Sequence, residues 1–197
     1  MSIQIEGHNY TGFIDYDRVQ LRGASLNAKI QWLQYRVRKI ITDPLDQILP
    51  PGAPYHQPIN RGDRTFNLCG VTLVACTIEG LGHFLIGTDE EGTSFRTWLK
   101  AYMPNWNVTT ATGQSIPNWL WDSARNGLAH QLAFKSGGTE AHNGQRFIEQ
   151  GDGQIEMDPF VFYSDFKAGV DRFFRDLQTK QVIRINFENR FGATLLQ

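Results

Sequence analysis

The stretch Ser115-Ile116-Pro117-Asn118-Trp119-Leu120-Trp121-Asp122-Ser123-Ala124-Arg125-Asn126-Gly127-Leu128-Ala129-His130-Gln131-Leu132-Ala133 decides how this chain is read. Ser115 suits a helix N-cap, and Pro117 falls in the first turn, where the missing N–H of proline costs nothing. Leu120, Ala124, Leu128 and Leu132 recur every four positions, which predicts a buried stripe on an α-helix over 116–133.

Arg125 and His130 flank that stripe. Arginine neutralises a phosphate and histidine carries a proton near neutral pH, the two things phosphodiester cleavage needs. On an α-helix five residues turn through about 140°, so one copy of the helix cannot aim both side chains at one phosphate. Asn126 and His130, four apart, do share a face, so the Asn126 amide can fix the histidine tautomer. Gly127 costs about 1 kcal/mol relative to alanine in a helix. With Ala129 it leaves room for a close neighbour, and the pattern predicts a homodimer with both copies lining one groove. Lys135, one turn beyond His130, is placed to touch a substrate phosphate and equally suits a cation at a helix C-terminus. The plainer alternative is an Arg salt-bridged at the surface and a His satisfied within a bundle.

Working outward, residues 1–24 form a short polar arm, read as one or two strands or irregular chain. Ser25 caps a helix over 26–41 whose apolar face is Ile30, Leu33, Val37 and Ile41; Pro44 ends or kinks it. Pro50-Pro51-Gly52-Ala53-Pro54 is a stiff connector rather than a domain boundary, so 1–197 reads as a single domain. Further helices are expected over 65–86 and 95–103, with a polar, turn-rich segment over 104–113. Gln150-Gly151-Asp152-Gly153 sits between two short apolar-alternating runs, a hairpin signal over about 145–157. Asp158 caps a long helix over 159–178, and within the tail 179–197 the run 182–187 reads as a short strand. The expected fold is mainly α: an antiparallel helical bundle with a β-hairpin insertion and a short N-terminal arm.

Hydrophobic residues make up 41% of the chain and charged residues 20%, the balance of a globular domain with a substantial core. A formal net charge of −1 excludes a global basic field of the kind an indiscriminate nucleic-acid binder carries, though not a local basic cleft. Cys69 and Cys76 on one helix would have Cα atoms about 10.5 Å apart, too far for a disulfide, and read as core thiols. The apolar run 66–86 contains Asn67, Glu79 and His83 and reads as a buried helix; the N-terminus has no signal-peptide pattern, and the expected setting is cytoplasmic, without a membrane. Trp32, Tyr35, Arg36, Arg38 and Lys39 mix aromatic and basic side chains, as single-strand binders do, but better suit an amphipathic helix whose Arg and Lys reach out to solvent. Asp171 and Arg175 are spaced as a helix-surface pair, His142 sits in a polar loop, and the acidic turn Asp89-Glu90-Glu91 lacks the ligand alternation of a calcium site. No metal or cofactor site is expected.

Arg125, Asn126 and His130 within a helical bundle resemble the R-x4-H signature of the HEPN domains, helical proteins that include many metal-independent ribonucleases. The part the resemblance covers is 25–178. It implies a composite site built by two copies and an endoribonuclease cleaving single-stranded RNA. Arg125 would stabilise phosphate charge, His130 would move the proton, and Asn126 would orient His130. Partners it implies are RNA, a second copy, and an antitoxin or regulatory protein in a toxin-antitoxin or defence setting. The alternatives are a non-catalytic nucleotide- or protein-binding module of the same type and a purely structural dimerisation unit.

Overall fold

The computed structural model describes residues 2–49, 64–128, 134–140 and 144–196. It is mainly helical, as expected. A hairpin of β1 (Ile3–Ile5) and β2 (His8–Tyr10) leads into α1 (Ile14–Gly23) and α2 (Leu26–Val37). A π-turn at Arg38–Thr42 joins α2 to α3 (Asp43–Ile48). Then come α4 (Arg64–Ile86), α5 (Thr93–Tyr102), a 3-10 turn at Pro104–Trp106 and α6 (Ile116–Trp119), which widens into a π-helix over Leu120–Leu128. Strands β3 (Gly138–Thr139), β4 (Phe147–Glu149) and β5 (Ile155–Met157) precede α7 (Pro159–Thr179) and α8 (Gln181–Leu195).

The apolar helix α4 is the axis of the bundle, packed by α5, α8, the π-helix and α7. Its inward side is Val71, Val74, Ala75, Ile78 and Leu81, all buried. By length and apolar content its stretch Asn67–Ile86 could cross a membrane, yet half of it is buried within this fold. Gly82 sets how closely α5 approaches: a Cβ there would overlap the Ser94 carbonyl, whereas a Cβ on Gly80 would meet nothing. Around this axis the core is aromatic. Trp98 packs against Tyr102, Phe166 and Phe173, while Phe84, Phe187 and Phe191 join α4 to α8.

Three expectations change. The run 182–187 is part of α8, not a strand: Phe187 and Phe191, four apart, are both buried, a helical repeat that a six-residue window is too short to reveal. The helix expected over 26–41 ends at Val37, and the chain passes Pro44 through a π-turn into α3 instead of stopping. The N-terminal arm contains a full helix, α1, as well as the hairpin. The expected hairpin is present as β4 and β5, antiparallel with Ile148 opposite Glu156, and β3 adds a parallel edge on β5. Asp158 caps α7 through its Oδ1, which accepts from the Phe160 and Val161 amides. The Pro-rich connector and His142 lie outside the described residues.

Asp17, buried on α1, holds the arm to the bundle. Its carboxylate accepts from the amides of Thr11 and Gly12, the Thr11 hydroxyl, and at 2.7 Å the indole Nε1 of Trp32. Trp32 is fully buried and Arg36 donates to the Gly12 carbonyl, so these two serve this junction and present no stacking platform to solvent. Tyr163 and Lys167 of α7 do the same for α3, both donating to Asp46.

Two measurements test this account. Asp17→Ala orphans several buried donors at once, so urea denaturation should register a loss of about 3 kcal/mol or more. On α4, Gly82→Ala should destabilise by about 1–3 kcal/mol through overpacking. Gly80→Ala, two positions away, should stabilise by about 0.5–1 kcal/mol through helix propensity alone.

Candidate functional site

The segment carrying Arg125 starts as sequence reasoning expects and then departs from it. The Ser115 hydroxyl accepts from the Asn118 amide, and Pro117 stands in the first turn. From Leu120 onward the backbone winds as a π-helix, closing i→i+5 bonds in place of i→i+4. The wider turn lets Leu120, Trp121, Ser123 and Ala124 all face inward, more of the chain than an α-helical stripe would bury. Trp121 fills the space against Phe95, with ring centroids 5.6 Å apart. The expected α-helix over 116–133 is therefore replaced at its centre, and the 140° separation of five-apart residues does not apply to this winding.

Arg125 is fastened on three sides. Its Nε donates to Glu79 Oε2 of α4 at 2.8 Å, its Nη1 donates to Asn126 Oδ1 at 2.7 Å, and its guanidinium lies over the Trp121 ring, 4.8 Å from the centroid. Both charged side chains are largely enclosed, Arg125 at 19% and Glu79 at 9% exposure. Asn126 thus orients the arginine through its carbonyl oxygen; with that oxygen occupied, Nδ2 is the end able to donate to another group. His130 lies outside the described residues.

The chain returns along this segment. Phe134 stacks on Trp119 at 5.8 Å, the Trp119 indole donates to the Ser136 carbonyl, and the hydroxyls of Ser123 and Ser136 lie 3.1 Å apart. Lys135 sits between those two anchors and is exposed. It is not on a helix, as the spacing implied, but in a bend next to Ser136, whose hydroxyl meets Ser123, two residues from Arg125. The physical cause is Trp119, whose face and N–H both need partners and find them in 134–136.

Glu79 is the functional neighbour the sequence reading passed over. A signal was present: Glu79 is the only Asp, Glu, Lys or Arg in the run 67–86, and a carboxylate buried in an apolar helix demands a cation. Cys76, one turn before it, is exposed, as is Cys69, so neither is the core thiol expected: both lie on the side of α4 away from Val74 and Ile78. Although Cys76 reaches solvent, the atoms packed about it push its thiol above the ordinary value, with Glu79 adding and Arg125 opposing. It stays protonated near neutral pH and is no ready nucleophile.

Elsewhere, Asp89 of the acidic turn accepts from Arg190 of α8 and lies 3.5 Å from His83 Nδ1, a structural junction. Arg175 donates to the Asp171 carbonyl instead of its carboxylate, so the expected surface ion pair is not made. Among the described residues no three His, Cys, Asp or Glu side chains converge as metal ligands. Comparison with protein-family models, curated proteins and solved structures finds no match for this chain.

The Glu79–Arg125 pair has a measurable consequence. Glu79→Leu breaks the ion pair of an enclosed guanidinium and should cost about 3–5 kcal/mol in denaturant unfolding. Glu79→Leu combined with Arg125→Met removes both charges and should recover most of that loss, the signature of a coupled pair in a double-mutant cycle.

Proposed function

We propose that this protein is a metal-independent endoribonuclease of HEPN type, acting on single-stranded RNA at a site completed by a second copy of the chain. The observation that carries the reading is the mounting of Arg125. A guanidinium held by a carboxylate, an amide and an indole on a π-helical segment is pre-oriented, and charge stabilisation is strongest when the donor need not reorganise. π-Helical turns are rare and concentrate at functional sites.

In this reading His130 takes the proton of a ribose 2′-hydroxyl, directly or through water. The 2′-oxygen attacks phosphorus, the bond to the 5′-oxygen breaks, and a proton returns to that leaving oxygen, giving a 2′,3′-cyclic phosphate and a 5′-hydroxyl. Arg125 stabilises the charge that gathers on the phosphate, and Lys135 supplies a second, exposed cation. Asn126 couples the two reacting positions, its Oδ1 toward Arg125 and its Nδ2 able to donate. An antitoxin or other regulatory protein is a partner compatible with this reading.

A second reading has an observation of its own. Glu79 neutralises Arg125 within the fold, which weakens its pull on a phosphate and suits a non-catalytic module that contacts a nucleotide or a protein. The two readings separate in one assay. Purified protein incubated with single-stranded RNA should cleave it with EDTA present and leave 2′-deoxy substrates intact. His130→Ala should reduce the rate by about 100-fold or more. Arg125→Lys, which keeps the charge beside Glu79 but loses the fork and the stacking on Trp121, should reduce the rate far more than it lowers the melting temperature. Asn126→Ala should leave a reduced rate, about tenfold down, through lost orientation. Cleavage that persists undiminished in His130→Ala belongs to another site or a contaminant, and the module reading then stands.

A further inference from the structure

We propose that α1 is a self-complementary docking surface at which two copies of this chain pair antiparallel about a two-fold axis. The inference does not rest on the ribonuclease reading. On α1 the inward positions are Asp17 and Leu21, both buried. The opposite side carries large apolar side chains in open solvent: Tyr16 is 77% exposed and Val19 is 82% exposed, with Phe13 at the helix start about half exposed. Tyr16 and Val19, three apart on the helix, are neighbours on one face, and Phe13 lies at the entry to the helix. Gly23 continues the stripe one turn on, and a Cβ there would meet nothing, so it forms a notch.

The flank of that stripe identifies the occupant. Asp15 and Arg22 are seven positions apart and lie on the same side of it. Arg22 is held there by the end of α8, its Nε and Nη2 donating to the Leu196 carbonyl at 3.2 and 2.9 Å. When two such helices run antiparallel about a two-fold axis, each flank meets its own copy reversed, so Asp15 meets the partner's Arg22 twice over. In that register Val19 packs on its own symmetry mate, and Tyr16 lies over the partner's Gly23, where no side chain opposes it. A membrane surface would call for a flank of one basic sign. Opposite charges two turns apart fit a second copy of the same helix.

The contact is one helix face, at the small end of specific interfaces, so it should be weak, with Kd of about 10–100 µM. Sedimentation of the full chain over a concentration series up to about 500 µM reads it directly. The wild type should gain mass with concentration. Val19→Glu should remove the part of that gain made through α1, leaving only a dimer of the kind the ribonuclease reading requires, without lowering the melting temperature. Asp15→Arg and Arg22→Asp should each weaken association by about tenfold or more, and the two together should restore it, because the pair is only reversed. Wild-type protein whose mass does not rise with concentration, association identical in wild type and Val19→Glu, single reversals without effect, or a double reversal that fails to recover would each overturn the proposal. So would a monomer that binds phosphatidylserine-containing vesicles through Val19, which assigns the stripe to a membrane surface. A dimer built at Arg125 and His130 would be indifferent to Val19→Glu and to the Asp15 and Arg22 reversals, so the failure of this proposal and that of the ribonuclease reading are separate outcomes.

Discussion

A single carboxylate inside an apolar helix organises this molecule. Glu79 lies in the helix around which the bundle is packed, among side chains that cannot solvate it, and its charge is tolerable only because Arg125 reaches it from the π-helix. That one pair determines which side of α4 the π-helix must cover and how deep Arg125 is drawn. The indole of Trp121 and the amide of Asn126 then settle the plane of the guanidinium. Stability and candidate chemistry meet at the same side chain, and removing either charge alone disturbs both.

Other acids at the joints between elements follow the same logic at a smaller scale. Asp17 collects the backbone of the N-terminal turn and the indole of Trp32; Asp46 collects Tyr163 and Lys167; Asp165 collects Trp106 and Arg146. Each is an acid that joins an element to a neighbour across an aromatic core. Apolar packing supplies the driving force, and these acids supply the register, since aromatic surfaces alone slide past one another at little cost.

For the chemistry, the arrangement trades reach for orientation. A guanidinium free in solvent searches many directions before meeting a phosphate, whereas Arg125 offers one. The Glu79 charge that holds it also subtracts from its field, so further cations would have to act on a phosphate with it, and Lys135, exposed beside the Ser136 that meets Ser123, is one the fold offers. This balance is why the enzymatic and non-catalytic readings both take Arg125 as their centre.

The sequence by itself determined the helices that have room to repeat. The apolar periodicity of α2, α4 and α7, the caps at Ser25, Ser115 and Asp158, and the Gln150–Gly153 turn are local rules, and they are legible because each is satisfied within a few residues of itself. Three kinds of feature were not. The π-winding at Leu120–Leu128 arises from what Trp121 and Arg125 meet on other elements, and no local propensity marks it. The C-terminal helix looked like a strand because Phe187 and Phe191 declare their helical spacing only against Phe84. The role of Arg125 changed from a flanking cation to half of an enclosed ion pair, because its partner lies 46 positions earlier. Local patterns fix elements, but a charge finds its counter-charge through space, and only the tertiary structure decided which carboxylate Arg125 would answer.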